Sequence, residues 1–106
     1  MKRLRLKHQY HDARLRRIRF EDRRVVFEVS LDGHWNKGCP EDAWLAFEIV
    51  HNLDEIRVAF NASTDQPCVE VEDEIIGVAR LTKTRYLVDL QSVGSVEIDC
   101  RAVSEI

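Results

Sequence analysis

The stretch HDARLRRIRFEDRRVVFEVSLDG, residues 11–33, changes character midway: a run rich in arginine gives way to alternating apolar and polar residues. Alternation with a period of two marks β-strands, and Asp22-Arg23 separates two such runs as a two-residue turn. With that turn, Phe20 faces Val25, Ile18 faces Phe27 and Arg17 lies opposite Glu28. Apolar meets apolar, and charge meets opposite charge. Leu15 is out of phase with Ile18, and a β-bulge at Arg16-Arg17 returns it to the inner side.

The same reasoning extends along the chain and predicts three antiparallel hairpins, over residues 15–32, 43–60 and 84–103. In the second, Ala43, Leu45, Phe47 and Ile49 form one arm and Ile56, Val58 and Phe60 the other. A turn at Asn52-Leu53 then sets Ile49 against Ile56, Phe47 against Val58, Leu45 against Phe60 and Glu48 against Arg57. In the third, a loop at Ser92-Val93-Gly94, with Gly94 in the left-handed conformation, aligns Leu90 with Val96, Val88 with Ile98 and Tyr86 with Cys100. Between them, QPCVEVEDEIIGVARLTKT, residues 66–84, is apolar on both sides around Ile75 and Ile76, which fits a buried central strand or, over 73–81, a short helix. Seven or eight strands in total imply a mainly β protein, built as a small antiparallel sandwich or a strongly curled sheet.

The chain has 106 residues, the size of one domain, able to bury roughly two-thirds of its unfolded surface. Residues 1–106 are read as a single β domain, with 1–12 extended or partly ordered. The basic start MKRLRLKHQY lacks the apolar core of an export signal, and no apolar run reaches the ~20 residues of a spanning helix. Cys39, Cys68 and Cys100 have no C-x-x-C spacing and fit reduced thiols, with Cys100 a small core residue. Together these features predict a cytoplasmic protein with no membrane association. Charge is unevenly spread: residues 1–24 carry ten Lys or Arg against three acidic residues, a balance of +7, and the remainder carries −10.

Several groups are candidates for chemistry. His8, His11 and Asp12 in HQYHD contain metal-ligating residue types, but an extended segment sends residues three apart to opposite sides. Hydrogen bonding to backbone at the start of the first strand is the reading preferred for His11 or Asp12. His34 and Cys39 could form an imidazole–thiolate pair, yet GHWNKGCP has the composition of a surface loop. Glu70, Glu72, Asp73 and Glu74 read as solvated charge along a strand and its turn. No catalytic, metal or cofactor site is therefore assigned. Arg14, Arg16, Arg17, Arg19, Arg23 and Arg24 form the footprint of a nucleic-acid grip, weighed against internal pairing with the acidic remainder. Trp44 falls in the phase opposite Phe47, as do Val50 and, on other strands, Val26 and Leu87. That face, with Trp35 arriving from the adjacent loop, is the expected partner surface: Trp35, Trp44, Val50 and Leu87.

The opening His-Asp-Ala-x-Leu, followed by a basic strand and VVFEVSLD, resembles the start of several families of small bacterial β-proteins, toxin-immunity proteins among them. The resemblance covers the first 35 or so residues in pattern and the rest in strand content, and carries over no individual functional residue. It implies a cytoplasmic, non-catalytic binding protein. The sequence thus leads to a non-enzymatic interaction module, of inhibitor or immunity type, whose partner is another protein or a second copy of itself. The alternative is a nucleic-acid-binding module using the basic first hairpin.

Overall fold

The computed structural model describes residue 6, residues 8–33, residue 36 and residues 41–105. The first hairpin forms as its side chains dictate. Strand β1 (Arg14–Glu21) pairs with β2 (Arg24–Ser30), placing Phe20 opposite Val25, Ile18 opposite Phe27 and Arg17 opposite Glu28. Asp22 takes φ 54°, as a tight turn between twisted strands requires. The register slips between Leu15 and Arg17 against both neighbours of β1, so the bulge leaves Leu15 and Ile18 fully buried with two arginines between them.

The remaining strands extend this pair in both directions. Strand β3 (Asp42–Glu48) lies beside β2, and the 13-residue β4 (Cys68–Arg80) lies beside β1. Residues 73–80 are therefore strand and not helix, paired on to β5 (Arg85–Leu90), which in turn pairs with β6 (Gly94–Asp99). The short β7 (Ala102–Glu105) pairs with β3. Among the described residues seven antiparallel strands result, in the order β6-β5-β4-β1-β2-β3-β7, as a strongly curled half-barrel. The two outermost strands are consecutive in sequence, and only Cys100 and Arg101 separate them. One continuous stretch of chain thus leaves one edge of the sheet and enters the other. Cys100 N–H donates to the Thr84 carbonyl and Arg101 N–H to the Glu48 carbonyl, fixing the crossing at both sides.

Two expectations fail here. Residues 43–60 do not form a hairpin, because Leu53–Ala59 is a helix, α1. Leu53, Ile56 and Phe60 recur at helical spacing, and Asp54 and Glu55 in the first turn with Arg57 in the last suit the helix dipole. Ile56 is fully buried, while Val58, expected to face Phe47, is 76% exposed. Arg57 does not meet Glu48; its guanidinium lies 4.1 Å from the centre of the Phe20 ring and donates to the carbonyls of Ser63 and Gln66. The second correction concerns the last hairpin, where Gly94 has the expected left-handed φ of 95° but pairs with Leu90 across a turn at residues 91–93. Val88 consequently faces Val96, and Tyr86 faces Ile98. The slip is two residues, so every side chain keeps its expected face.

The inner surface of the curl and α1 enclose one core. Phe27 meets Phe47 and Phe60 edge-on, at centroid separations of 5.3 and 6.0 Å, and Phe47 meets Tyr86 at 6.2 Å. Ring edges against ring faces suit the aromatic quadrupole, and these contacts tie β2 and β3 to β5 across the interior. Cys100 is fully buried in the same cluster, as its alternation implied, and burial pushes its thiol up to about 11. No helix among the described residues is long and apolar enough to cross a membrane.

Candidate interaction surface

The outer side of β1, β2 and β3 concentrates charge because the bulge turns Arg16 and Arg17 outward in succession. Each then meets a carboxylate from another strand. Arg16 lies 3.1 Å from Asp42 and also donates to the Ser30 hydroxyl; Arg17 lies 3.4 Å from Glu70 and 4.0 Å from Glu28. Arg19 pairs with Glu21 at 2.6 Å and reaches Glu28 at 3.9 Å. Arg24 pairs with Glu48 at 2.7 Å and with Glu21 at 3.5 Å. The arginines of the first hairpin are thus woven into a lattice with acidic residues of β2, β3 and β4. Arg23 occupies the turn, and Arg14 lines a depression of about 240 Å³ together with Arg16, Arg17, Glu28 and Glu70.

Trp44 stands at the margin of this lattice, opposite Glu28 on β2 and 39% exposed. It lines a shallow cleft of about 120 Å³ with Arg16, Glu28 and Asp42. The other residues expected beside it are elsewhere. Val50 belongs to the inner core, because Ile49 adopts φ 54° and reverses the alternation after β3 ends. Leu87 lies half-buried on β5, with β4, β1 and β2 between its strand and that of Trp44. Trp35 lies outside the described residues, as do His34 and Cys39. Val26, on the outer phase of β2, is buried against Ala46 and flanked on its own strand by Arg24 and Glu28. At 3% exposure within the single chain, this apolar residue needs no other chain above it.

The acidic run divides by phase. Glu70, Glu72 and Glu74 share the outer phase of β4, whereas Asp73 shares the inner phase of Val69, Val71 and Ile75 and is buried. Its carboxylate accepts from the backbone N–H of Glu74 at 2.8 Å and of Ser92 and Val93 at 2.9 Å each. Burial pushes its pKa up, but these N–H donors and the Ser92 hydroxyl outweigh it and hold the group below its ordinary 3.8. Asp73 is therefore the post on which the β5–β6 turn hangs, and its phase was the available signal for that role. Around it, Asp12, Arg14, Asp32, Glu72 and Glu74 line an open depression of about 530 Å³.

At the start of β1, the His11 ring hydrogen-bonds the Ile76 carbonyl through Nδ1 at 2.7 Å, and its Nε2 lies 3.6 Å from Asp12. The Asp12 N–H donates to the Ile75 carbonyl. His8 is held by its backbone N–H to Glu105, which also accepts from the Tyr10 hydroxyl at 2.8 Å. Among the described residues no three His, Cys, Asp or Glu side chains are grouped to hold a metal ion. No protein-family model, curated protein or solved structure matches the chain.

Proposed function

We propose that this chain is a non-enzymatic protein-binding module of the inhibitor or immunity type, working in the cytoplasm, whose contact surface is the outer side of β1–β3 around Trp44 and Arg16. The observation that carries the reading is the pairing of a half-exposed tryptophan with an arginine already held in place by Asp42 and Ser30. Tryptophan and arginine dominate the energetics of protein interfaces, and a side chain oriented before binding loses less rotamer freedom on contact. The flanking Arg–Glu lattice supplies a polar rim of both signs, which favours a protein of mixed charge over a polyanion. Reduced cysteines such as the buried Cys100 suit a cytoplasmic setting.

The test is copurification from the cell of origin with tagged wild-type protein and with Trp44→Ala and Arg16→Ala, paired with sedimentation of the purified chain. A partner that is retained by wild type and lost from both variants, at unchanged circular dichroism, is the expected result. Retention by both variants would remove this surface from consideration. Loss accompanied by a sedimenting wild-type dimer would identify the partner as a second copy.

A further inference from the structure

Asn52 occupies the position preceding α1, where an asparagine side chain ordinarily accepts a hydrogen bond from the first turn of its own helix. It makes no such bond. Its carboxamide is turned instead onto β6, accepting from the Asp99 N–H at 2.9 Å and donating to the Glu97 carbonyl at 2.9 Å, with a weaker contact to Glu55 at 3.3 Å. The neighbouring His51 N–H donates to the Asp99 carbonyl at 2.7 Å. The Asp99 N–H and carbonyl and the Glu97 carbonyl therefore point away from β5, toward the outer edge of the sheet. Asn52 and His51 satisfy those outward groups as a next strand would.

We infer that Asn52 is an edge guard: its carboxamide imitates an adjacent strand and keeps β6 closed to strand addition, at the expense of capping α1. Unpaired strand edges recruit other strands, and proteins block them with local devices. The occupant that this contact excludes is β6 of a second copy. Turned antiparallel about Glu97, a second β6 presents donor to acceptor along the same edge, and Ser95 of each copy comes opposite Asp99 of the other. The like charges of the two Glu97 residues are moderated by Arg85, which lies 3.0 Å from Glu97 within each chain. The chain reaches β6 only because it reverses at Ile49, a β-branched residue in the left-handed region, where it is strained. Hydrogen bonds from Val50 to Arg23 and from His51 to Asp99 hold that reversal.

The experiment compares wild type with Asn52→Ser, a residue type well suited to the capping position but too short to span Glu97 and Asp99. In wild type, the Asn52 side-chain NH₂ protons should exchange with solvent more slowly than those of exposed Asn61. In the variant, the Asp99 amide should lose roughly tenfold in exchange protection while Phe27 on β2 keeps its own, and sedimentation should show concentration-dependent association absent from wild type. Adding Ser95→Pro, which places a ring on the outward side of β6, should return the variant to monomer. Asn52 NH₂ protons exchanging as fast as those of Asn61 would overturn the inference, even if the variant failed to fold. So would unchanged Asp99 protection, a variant that sediments as wild type does, or association that persists with Ser95→Pro.

Discussion

Asp73 shows how one residue can be placed correctly in a strand and still be misread. Its neighbours in sequence are solvated glutamates, but strand phase, not sequence proximity, decides exposure, and its phase is that of Val71 and Ile75. Replacing it with Asn turns one oxygen into an NH₂ that cannot accept from Val93, so Asp73→Asn should destabilise by about 2 kcal/mol near neutral pH. The pH dependence has a definite sign. Because the folded-state pKa is depressed, the carboxylate's contribution is fully present above its ordinary 3.8 and is lost as pH falls below that value towards the folded-state pKa. Urea unfolding should therefore show wild type and Asp73→Asn converging in stability below about pH 4 and separated at pH 7. A constant gap across that range would mean that Asp73 acts without its charge.

At the scale of elements, the first hairpin was legible because two independent patterns agree on one register: apolar residues face each other, and Arg17 faces Glu28. Over residues 53–60 the patterns disagree. Ile56, Val58 and Phe60 alternate as a strand does, yet Leu53, Ile56 and Phe60 also lie on one face of a helix, and in so short a run periodicity alone does not separate them. What decides is the reversal at Ile49, which carries the chain off the sheet and leaves the following segment to cover the inner core. Nothing in the residue type announces that reversal, since isoleucine rarely adopts a positive φ. The same reversal put Val50 in the core and removed it from the surface group expected around Trp44. The strand and helix readings separate experimentally. Ile56→Ala should cost about 2–4 kcal/mol and Val58→Ala under about 0.5 kcal/mol, as expected for a filled core position and an exposed helix position. Comparable losses at both sites in thermal or urea unfolding would restore the hairpin.

Across the whole molecule, the contrast between a basic first quarter and an acidic remainder is partly resolved by the fold, because the antiparallel order interleaves the two. Strand β1, with Arg14, Arg16, Arg17 and Arg19, lies between β2 and β4, and the Glu28 and Glu70 carboxylates come from those flanking strands. Binding to DNA or RNA draws its free energy largely from counterions released when Lys and Arg neutralise phosphates. Arginines already within 4.0 Å of carboxylates have few such counterions to release, and an approaching phosphate would have to displace Asp42, Glu28, Glu48 or Glu70. Such exposed pairs are each worth only about 0.2–1 kcal/mol, so the barrier is the accumulated negative charge of the lattice and not any single bond. Fluorescence anisotropy with labelled single- and double-stranded oligonucleotides should consequently show no appreciable binding at about 0.15 M salt. Weak binding that appears at low salt and vanishes well before that concentration is the most the surface should support. A submicromolar complex at 0.15 M salt that falls steeply with added salt, and is lost when Arg16, Arg17 and Arg19 are changed to Gln, would make β1 a nucleic-acid-binding strand.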